Sequence, residues 1–324
     1  MDALSDVLKA LRISGGVFLD AAFTAPWCVA SRVGPEDFRH KDDLPASVVA
    51  FHYVIDGQMM VEVEGTPPVV VRAGEMVLLP RNNPHLLASR VGLRPADPDP
   101  PMQRVEGGLL RMVYGGGGTP THLVCGFVGS EVRRHPLLEA LPITLTLDVK
   151  DKPCSEWVAA SFRFAAQEVA SGRAGSETVL AKLSELLFVE AVRHYAETLP
   201  PDREGWLAGL RDPAVGRALA LMHGDVARPW TTEQLAADVS LSRSAFAERF
   251  TQLVGMPPIT YLTDWRMQLA AARLRDTPRA IGQIAAELGY ESEATFTRAF
   301  KRAMGIAPGR YRSAGPSFTA PVRS

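Results

Sequence analysis

The segment QLAADVSLSRSAFAERFTQLVGMPPITY (234–261) recurs as QIAAELGYESEATFTRAFKRAMGIAPGRY (283–311), and this repeat constrains the fold more than any other feature of the chain. Gln234, Ala236 and Ala237 fall on Gln283, Ala285 and Ala286 at a spacing of 49 residues. Phe246, Phe250, Gly255, Pro258 and Tyr261 fall on Phe296, Phe300, Gly305, Pro308 and Tyr311 at a spacing of 50. One residue is therefore inserted between the matching blocks, where Gly289-Tyr290-Glu291-Ser292 spells a turn. Each copy reads as a short helix, a tight turn and a second helix.

In the first copy Thr231-Thr232-Glu233 is a helix-capping sequence, Leu235, Ala236 and Val239 face inward, and Ser240-Leu241 turns the chain. Small Ala236 and Ala285 let the second helix of each copy cross close by. Ser242 and Ser292 cap the second helices, which bury Phe246 with Phe250 and Phe296 with Phe300. Such helix-turn-helix units, here at about 232–253 and 281–303, place their second helix in the DNA major groove. The candidate DNA-binding residues are Ser242, Arg243, Ser244, Ala247 and Glu248 in the first copy, and Ser292, Glu293, Ala294, Thr297, Arg298 and Lys301 in the second. Arg298 is the strongest of them, because arginine on guanine is the commonest specific contact. A single helix over 260–277 joins the copies and would fix the distance between two reading heads on one side of a duplex.

The 324 residues suit two domains, and 46% apolar with 22% charged residues is ordinary for a globular chain. The net charge of −1 hides an asymmetry. Residues 201–324 hold 16 Lys and Arg against 12 Asp and Glu, while 1–200 hold 19 against 24. The basic part is the one with the repeat, in keeping with attraction to phosphates. No signal-like layout and no 18-residue apolar run occurs, so a cytoplasmic, nucleoid-associated protein without membrane contact is expected. Cys28, Cys125 and Cys154 are widely spaced and odd in number, which excludes a disulfide framework or a zinc knuckle.

Residues 4–11 have the spacing of an amphipathic helix. From about 17 to 128 the chain reads as short strands, such as VVAFHYVI and EMVLLPR, broken by the loops RPADPDPP (94–101) and GGGGTP (115–120). Closely spaced short strands indicate an antiparallel barrel or sandwich. Helical periodicity begins near Ser155, and a second helix spans about 176–198, with Ser176 as N-cap and Pro200-Pro201 as stop. That helix carries an apolar stripe, Leu180, Leu183, Leu187 and Ala191, widened by Val179, Leu186, Phe188, Val192 and Tyr195. So wide a stripe suits packing on the barrel and, beyond it, on a second subunit.

The stretch GYESEATFTRAFKRAMGIAPGRYR, and with it about 210–312, resembles the AraC/XylS family of bacterial transcription regulators. FHYVIDGQMMVEVEG followed by AGEMVLLPRNNPH resembles the cupin barrel, with Gly74, Pro80 and His85 on that fold's second motif. Together they imply an α+β multidomain chain. Residues 1–200 would be a cupin-like antiparallel β-barrel followed by helices that senses a ligand and dimerises. Residues 206–312 would be an all-α double helix-turn-helix domain, and 313–324 a disordered tail. The implied partners are double-stranded promoter DNA, a small-molecule effector, a second copy of the chain and RNA polymerase, as for a transcription activator. Metal-dependent cupin enzymes hold their metal with a first-motif His-x-His and Glu, yet LPASVVA (44–50) stands there with none of these. The expectation is a binding pocket without metal or other cofactor, with His52 and His85 as ligand-binding residues rather than catalysts. A metal-dependent enzyme with an appended helical domain, and a regulator that senses oxidants through a thiol, are the two alternatives.

Overall fold

The computed structural model describes residues 3–11, 13–34, 45, 47–97, 102–104, 110–130, 136–148, 155–171, 173–200 and 205–313. By contacts the chain divides into two compact units. One comprises Ile13–Arg134 with Leu141–Glu197, the other Met1–Arg12 and His135–Ala140 with Thr198–Ser324.

The first unit contains the strands β1 (Ile13–Thr24), β2 (Cys28–Ser31), β3 (Ser47–Asp56), β4 (Gln58–Val63), β5 (Val69–Arg72), β6 (Glu75–Leu79), β7 (His85–Ala88), β8 (Met102–Arg104), β9 (Leu110–Gly115), β10 (Pro120–Ser130) and β11 (Leu145–Asp148). They form two sheets, ordered β11-β6-β3-β10-β1-β9-β8 and β2-β7-β4-β5. Every pair is antiparallel except β1 with β9, which is parallel. Hydrogen bonding among the described residues pairs the strands as two facing sheets, the β-rich N-terminal unit that the strand texture and the cupin resemblance lead one to expect. Alternate residues from both sheets fill the space between them: Ala21, Phe23, Val54 and Leu123 from the large sheet, Met59, Val61, Val71 and Leu87 from the small one.

Strand β3 is buried from Val49 to Val54 without alternation, as a central strand covered on both faces should be. Its outer cover is the helix running from Ser155 to Ser171 (α3 below), whose Phe162 stacks on Tyr53 at 4.0 Å and meets Phe51 edge-on at 6.0 Å. Gly126 makes room for this, since a Cβ there would stand 2.6 Å from the Phe51 ring. The next helix, Ser176–Thr198 (α4 below), buries Leu180, Leu187, Phe188 and Ala191. Leu183 is half-buried, Val179 is 45% exposed and Leu186 52%. Ser176 does not cap this helix. Gly175 supplies the N-cap carbonyl to Val179 N–H, and the Ser176 hydroxyl donates to the buried Glu168 carboxylate at 2.7 Å.

The second unit is helical: α1 (Ala3–Leu11), α2 (Pro136–Ala140), α5 (Trp206–Arg211), α6 (Pro213–Gly224), α7 (Thr232–Asp238), α8 (Arg243–Val254), α9 (Pro258–Asp276), α10 (Ile281–Glu287), α11 (Glu293–Met304) and α12 (Pro308–Ser313). Met267, Ala270, Ala271 and Leu274 of α9 share one core with Ile284, Ala285, Leu288, Phe296 and Phe300. The tail beyond Ser313 lies outside the described residues.

Candidate nucleic-acid interface and sensor site

The two copies of the repeat fold alike, atom for atom, at their turns. Leu241 N–H donates to Ala236 O at 2.9 Å and Ser240 N–H to Ala237 O at 3.1 Å; Tyr290 to Ala285 and Gly289 to Ala286 repeat this at 3.0 Å each. This is the paired helix-ending pattern that needs one left-handed residue. Gly289 takes it with φ 78°, and Ser240 takes it with φ 59° despite its side chain. The second helices end identically too, on left-handed Gly255 and Gly305, with φ 82° and 83°.

Caps and cores match in the same way. Thr231 and Gln234 form a reciprocal capping box at the start of α7. Ser242 Oγ accepts from Ala245 N–H at 3.3 Å, and Ser292 Oγ from Thr295 N–H at 3.2 Å, so both serines spend acceptor capacity on their helices. Phe246–Phe250 and Phe296–Phe300 each lie 5.7 Å apart between ring centroids, all four fully buried. Phe250 meets Tyr261 at 5.9 Å, and Phe300 meets Tyr311 at 5.3 Å.

With the phenylalanines inward, the opposite faces look out. Ser242, Arg243, Ser244 and Glu248 are exposed on α8, with Ala247 half-buried between them. On α11 Ser292, Glu293, Ala294, Arg298 and Lys301 are exposed and Thr297 is half-buried. Arg298 donates to Thr295 Oγ1 at 3.2 Å, one turn back on its own helix. Arg243 is engaged more firmly, with Nε 2.7 Å from Glu233 Oε1 on α7. The equivalent place in the second copy is Gly282, where a Cβ would lie 2.8 Å from Glu293 Oε2.

Sequence reasoning missed Arg249. Its Nε donates to Asp212 Oδ2 at 2.8 Å, while Asp212 Oδ1 caps α6 through Ala214 and Val215 N–H. Burial raises the Asp212 pKa, but the Arg249 hydrogen bond and the two N–H groups outweigh it, and the net shift is downward. One carboxylate thus ties the side of α8 to the start of α6. Nothing in the sequence around either residue marks this pairing, which spans 37 residues.

In the two-sheet unit, His52 on β3 and His85 on β7 reach toward each other between the sheets, Nε2 to Nε2 2.8 Å, both buried. His85 Nδ1 lies 2.8 Å from Asn83 O, which accepts only, so that nitrogen carries the proton and His85 Nε2 is a lone pair. His52 therefore donates from Nε2, and its buried Nδ1 is a bare acceptor with no partner among the described residues. Burial, then the neighbouring His85, push the His52 pKa well below the usual value. Burial lowers His85 too, although its bond to Asn83 opposes this. Both rings are neutral near pH 7.

Cys28 and Cys125 are buried, and burial first of all raises both thiol pKa values, with Glu62 adding to it for Cys28 and Asp20 for Cys125. Neither is the low-pKa thiolate an oxidant sensor needs. Cys154 lies outside the described residues. Among the described residues no group of three or more His, Cys, Asp or Glu is placed to hold a metal ion.

Two family models match the chain, a cupin model over residues 2–197 and a helix-turn-helix domain model over 235–314. An AraC-like transcription regulator of Streptomyces lividans is 34% identical over 96% of this chain and 98% of its own. The chain belongs to the AraC-like transcription regulators. It is a DNA-binding regulator with a cupin-type N-terminal region and a C-terminal helix-turn-helix region. A further relative, the HTH-type transcriptional regulator AlkR of Acinetobacter baylyi, is 27% identical over 96% of this chain and 99% of its own. Among solved structures, the DNA-binding domain of AdpA in complex with a target DNA is 28% identical, covers 32% of this chain and 92% of that one, and has a TM-score of 0.31. No helix of this AraC-like chain among the described residues is long and apolar enough to cross a membrane.

Proposed function

We propose that this chain acts in the cytoplasm as an effector-controlled regulator of bacterial promoters and not as an enzyme. Residues 206–312 would form its DNA-binding domain and 1–200 its sensing and dimerising domain. The observation that carries the reading is the pair of matched heads, each with its reading face outward, set on one helix, α9. Ser242, Arg243, Ser244, Ala247 and Glu248 are the first head's DNA contacts, and Ser292, Glu293, Ala294, Thr297, Arg298 and Lys301 the second's. Glu233 holds Arg243 in place on the first head and Asp212 holds Arg249 beside it.

The effector is a small molecule, and His52 Nδ1 offers it one desolvated acceptor for a hydroxyl or N–H, with His85 fixing the ring that carries it. Dimerisation uses the apolar side chains left outward on the helices of 155–198, namely Trp157, Phe164, Val179 and Leu186. RNA polymerase would be the further partner of an activator. Mapping of bound DNA across the genome tests the whole reading. Discrete promoter-proximal sites are expected, and uniform or absent binding would overturn it.

A further inference from the structure

The outer face of the large sheet carries a second cluster of titratable groups, distinct from the His52–His85 pair between the sheets. Strand register assembles it. Asp20 on β1 stands opposite Arg111 on β9, and His122 on β10 stands opposite Asp56 on β3. His122 Nε2 lies 2.5 Å from Asp20 Oδ1, and Arg111 Nε lies 3.7 Å from Asp20 Oδ2. All four line one open groove of about 910 Å³, together with Val113 and Tyr114 of β9. Its volume falls within the usual range for small-molecule sites.

The groups differ in what they have left to offer. The Asp20 side chain is only 7% exposed and already faces two bases, so it serves as the buried counter-charge that holds them. Arg111 is 47% exposed and uses only its Nε edge on Asp20; the two terminal nitrogens have no partner among the described residues. His122 is kept charged more readily than a free imidazole, first by the Asp20 hydrogen bond and against the effect of burial, with Asp56 adding to it and Arg111 opposing. His122 lines the groove, and its Nδ1–H is then a second donor beyond the Nε2–H used on Asp20. Asp56 is exposed to water on β3, three strands and so about 14 Å from β9. Beside Arg111, on the same strand and the same face, Val113 is 65% exposed, with Ala22 of β1 opposite it in the groove lining. Forked donors next to an uncovered apolar surface fit a carboxylate on an apolar body.

We propose that this groove binds an organic anion, with Arg111 and His122 holding its carboxylate and Val113, with Ala22 beside it on β1, its apolar body. The site is independent of the His52–His85 pair, and anion binding here stands or falls separately from promoter binding. Calorimetric titration of the full-length protein with benzoate, and with benzyl alcohol and benzylamine as neutral and cationic counterparts, tests it. Saturable benzoate binding is expected, stronger than that of either counterpart and weakening as pH rises through the His122 titration. Arg111→Gln should weaken it about ten- to hundredfold, the loss of a charge-assisted pair, while the unliganded protein stays folded with a melting temperature lowered only by the loss of one half-exposed ion pair. Unchanged benzoate affinity in Arg111→Gln, preference for benzylamine, or no saturable benzoate binding by the wild type overturns the site. Promoter binding by Arg111→Gln without benzoate, measured alongside, should equal wild type.

Discussion

The two turns take the same backbone path with different residues, so reciprocal substitutions at Ser240 and Gly289 have opposite, calculable effects. At Ser240 (φ 59°) a side chain is held in the left-handed region, which costs roughly 1–2 kcal/mol. Glycine removes that strain but loses more freedom on folding, about 0.5–1 kcal/mol. Ser240→Gly should therefore stabilise the first head by about 0.5–1 kcal/mol. At Gly289 (φ 78°) alanine meets the same left-handed penalty and a backbone obstacle besides, since its Cβ would stand 2.1 Å from Ala227 O. That segment cannot yield easily, because Arg266 donates to Val226 O and Arg228 O on either side of it, each at 2.8 Å. Gly289→Ala should thus cost about 3 kcal/mol or more, adding the left-handed penalty to displacement of a bonded loop. Native-state hydrogen exchange of the core amides of α7–α8 and α10–α11 reads each head locally. Protection in α10–α11 should fall about a hundredfold or more in Gly289→Ala and rise several-fold in α7–α8 in Ser240→Gly. A Gly289→Ala change within about 0.5 kcal/mol of wild type would refute the argument that this turn is sterically closed.

Arg298→Ala should weaken specific DNA binding by ~1–3 kcal/mol and relax preference at one base position; equal loss on random DNA would make Arg298 a phosphate contact. Leu186→Glu should give folded monomers by sedimentation if α4 forms the dimer, whereas folded wild type that already sediments as a monomer refutes the interface. Leu187, at 2% exposure, belongs to the core, and a charge there should unfold the unit instead. The Asp20–His122 bond raises the His122 pKa, so its stabilisation is full below the unfolded value near 6.5 and is lost as pH rises through the folded one. Unfolding measured across that range should show this decline in wild type and not in Asp20→Asn; the same slope in both would refute it.

Much of the reading head was legible in the chain because it is built from local interactions. A serine three residues before the amide it caps, phenylalanines four apart and a glycine closing each helix act within a turn or two, so their spacing specifies them. Even the left-handed Ser240 was marked by its alignment with Gly289. What joins separate elements was not legible. Arg249 reaches Asp212 across 37 residues, and nothing in either neighbourhood announces the other. The stripe on 176–198 showed that the helix is apolar around much of its circumference, but only packing against the sheet decided that Leu187 is core and Leu186 is outward. Likewise Ser176 looked like a cap until the fold set a buried carboxylate beside it. The strand texture announced a β unit by its period, yet period carries no information on which strands meet. Asp20 and His122, 102 residues apart, become partners only through the register of β1 with β10, and the parallel pairing of β9 then adds Arg111. Sequence determined the helical heads because helix hydrogen bonds and caps are local. Tertiary structure decided the chemistry of the sheet faces, because pairing between distant strands is set by the burial of the whole unit rather than by any one segment.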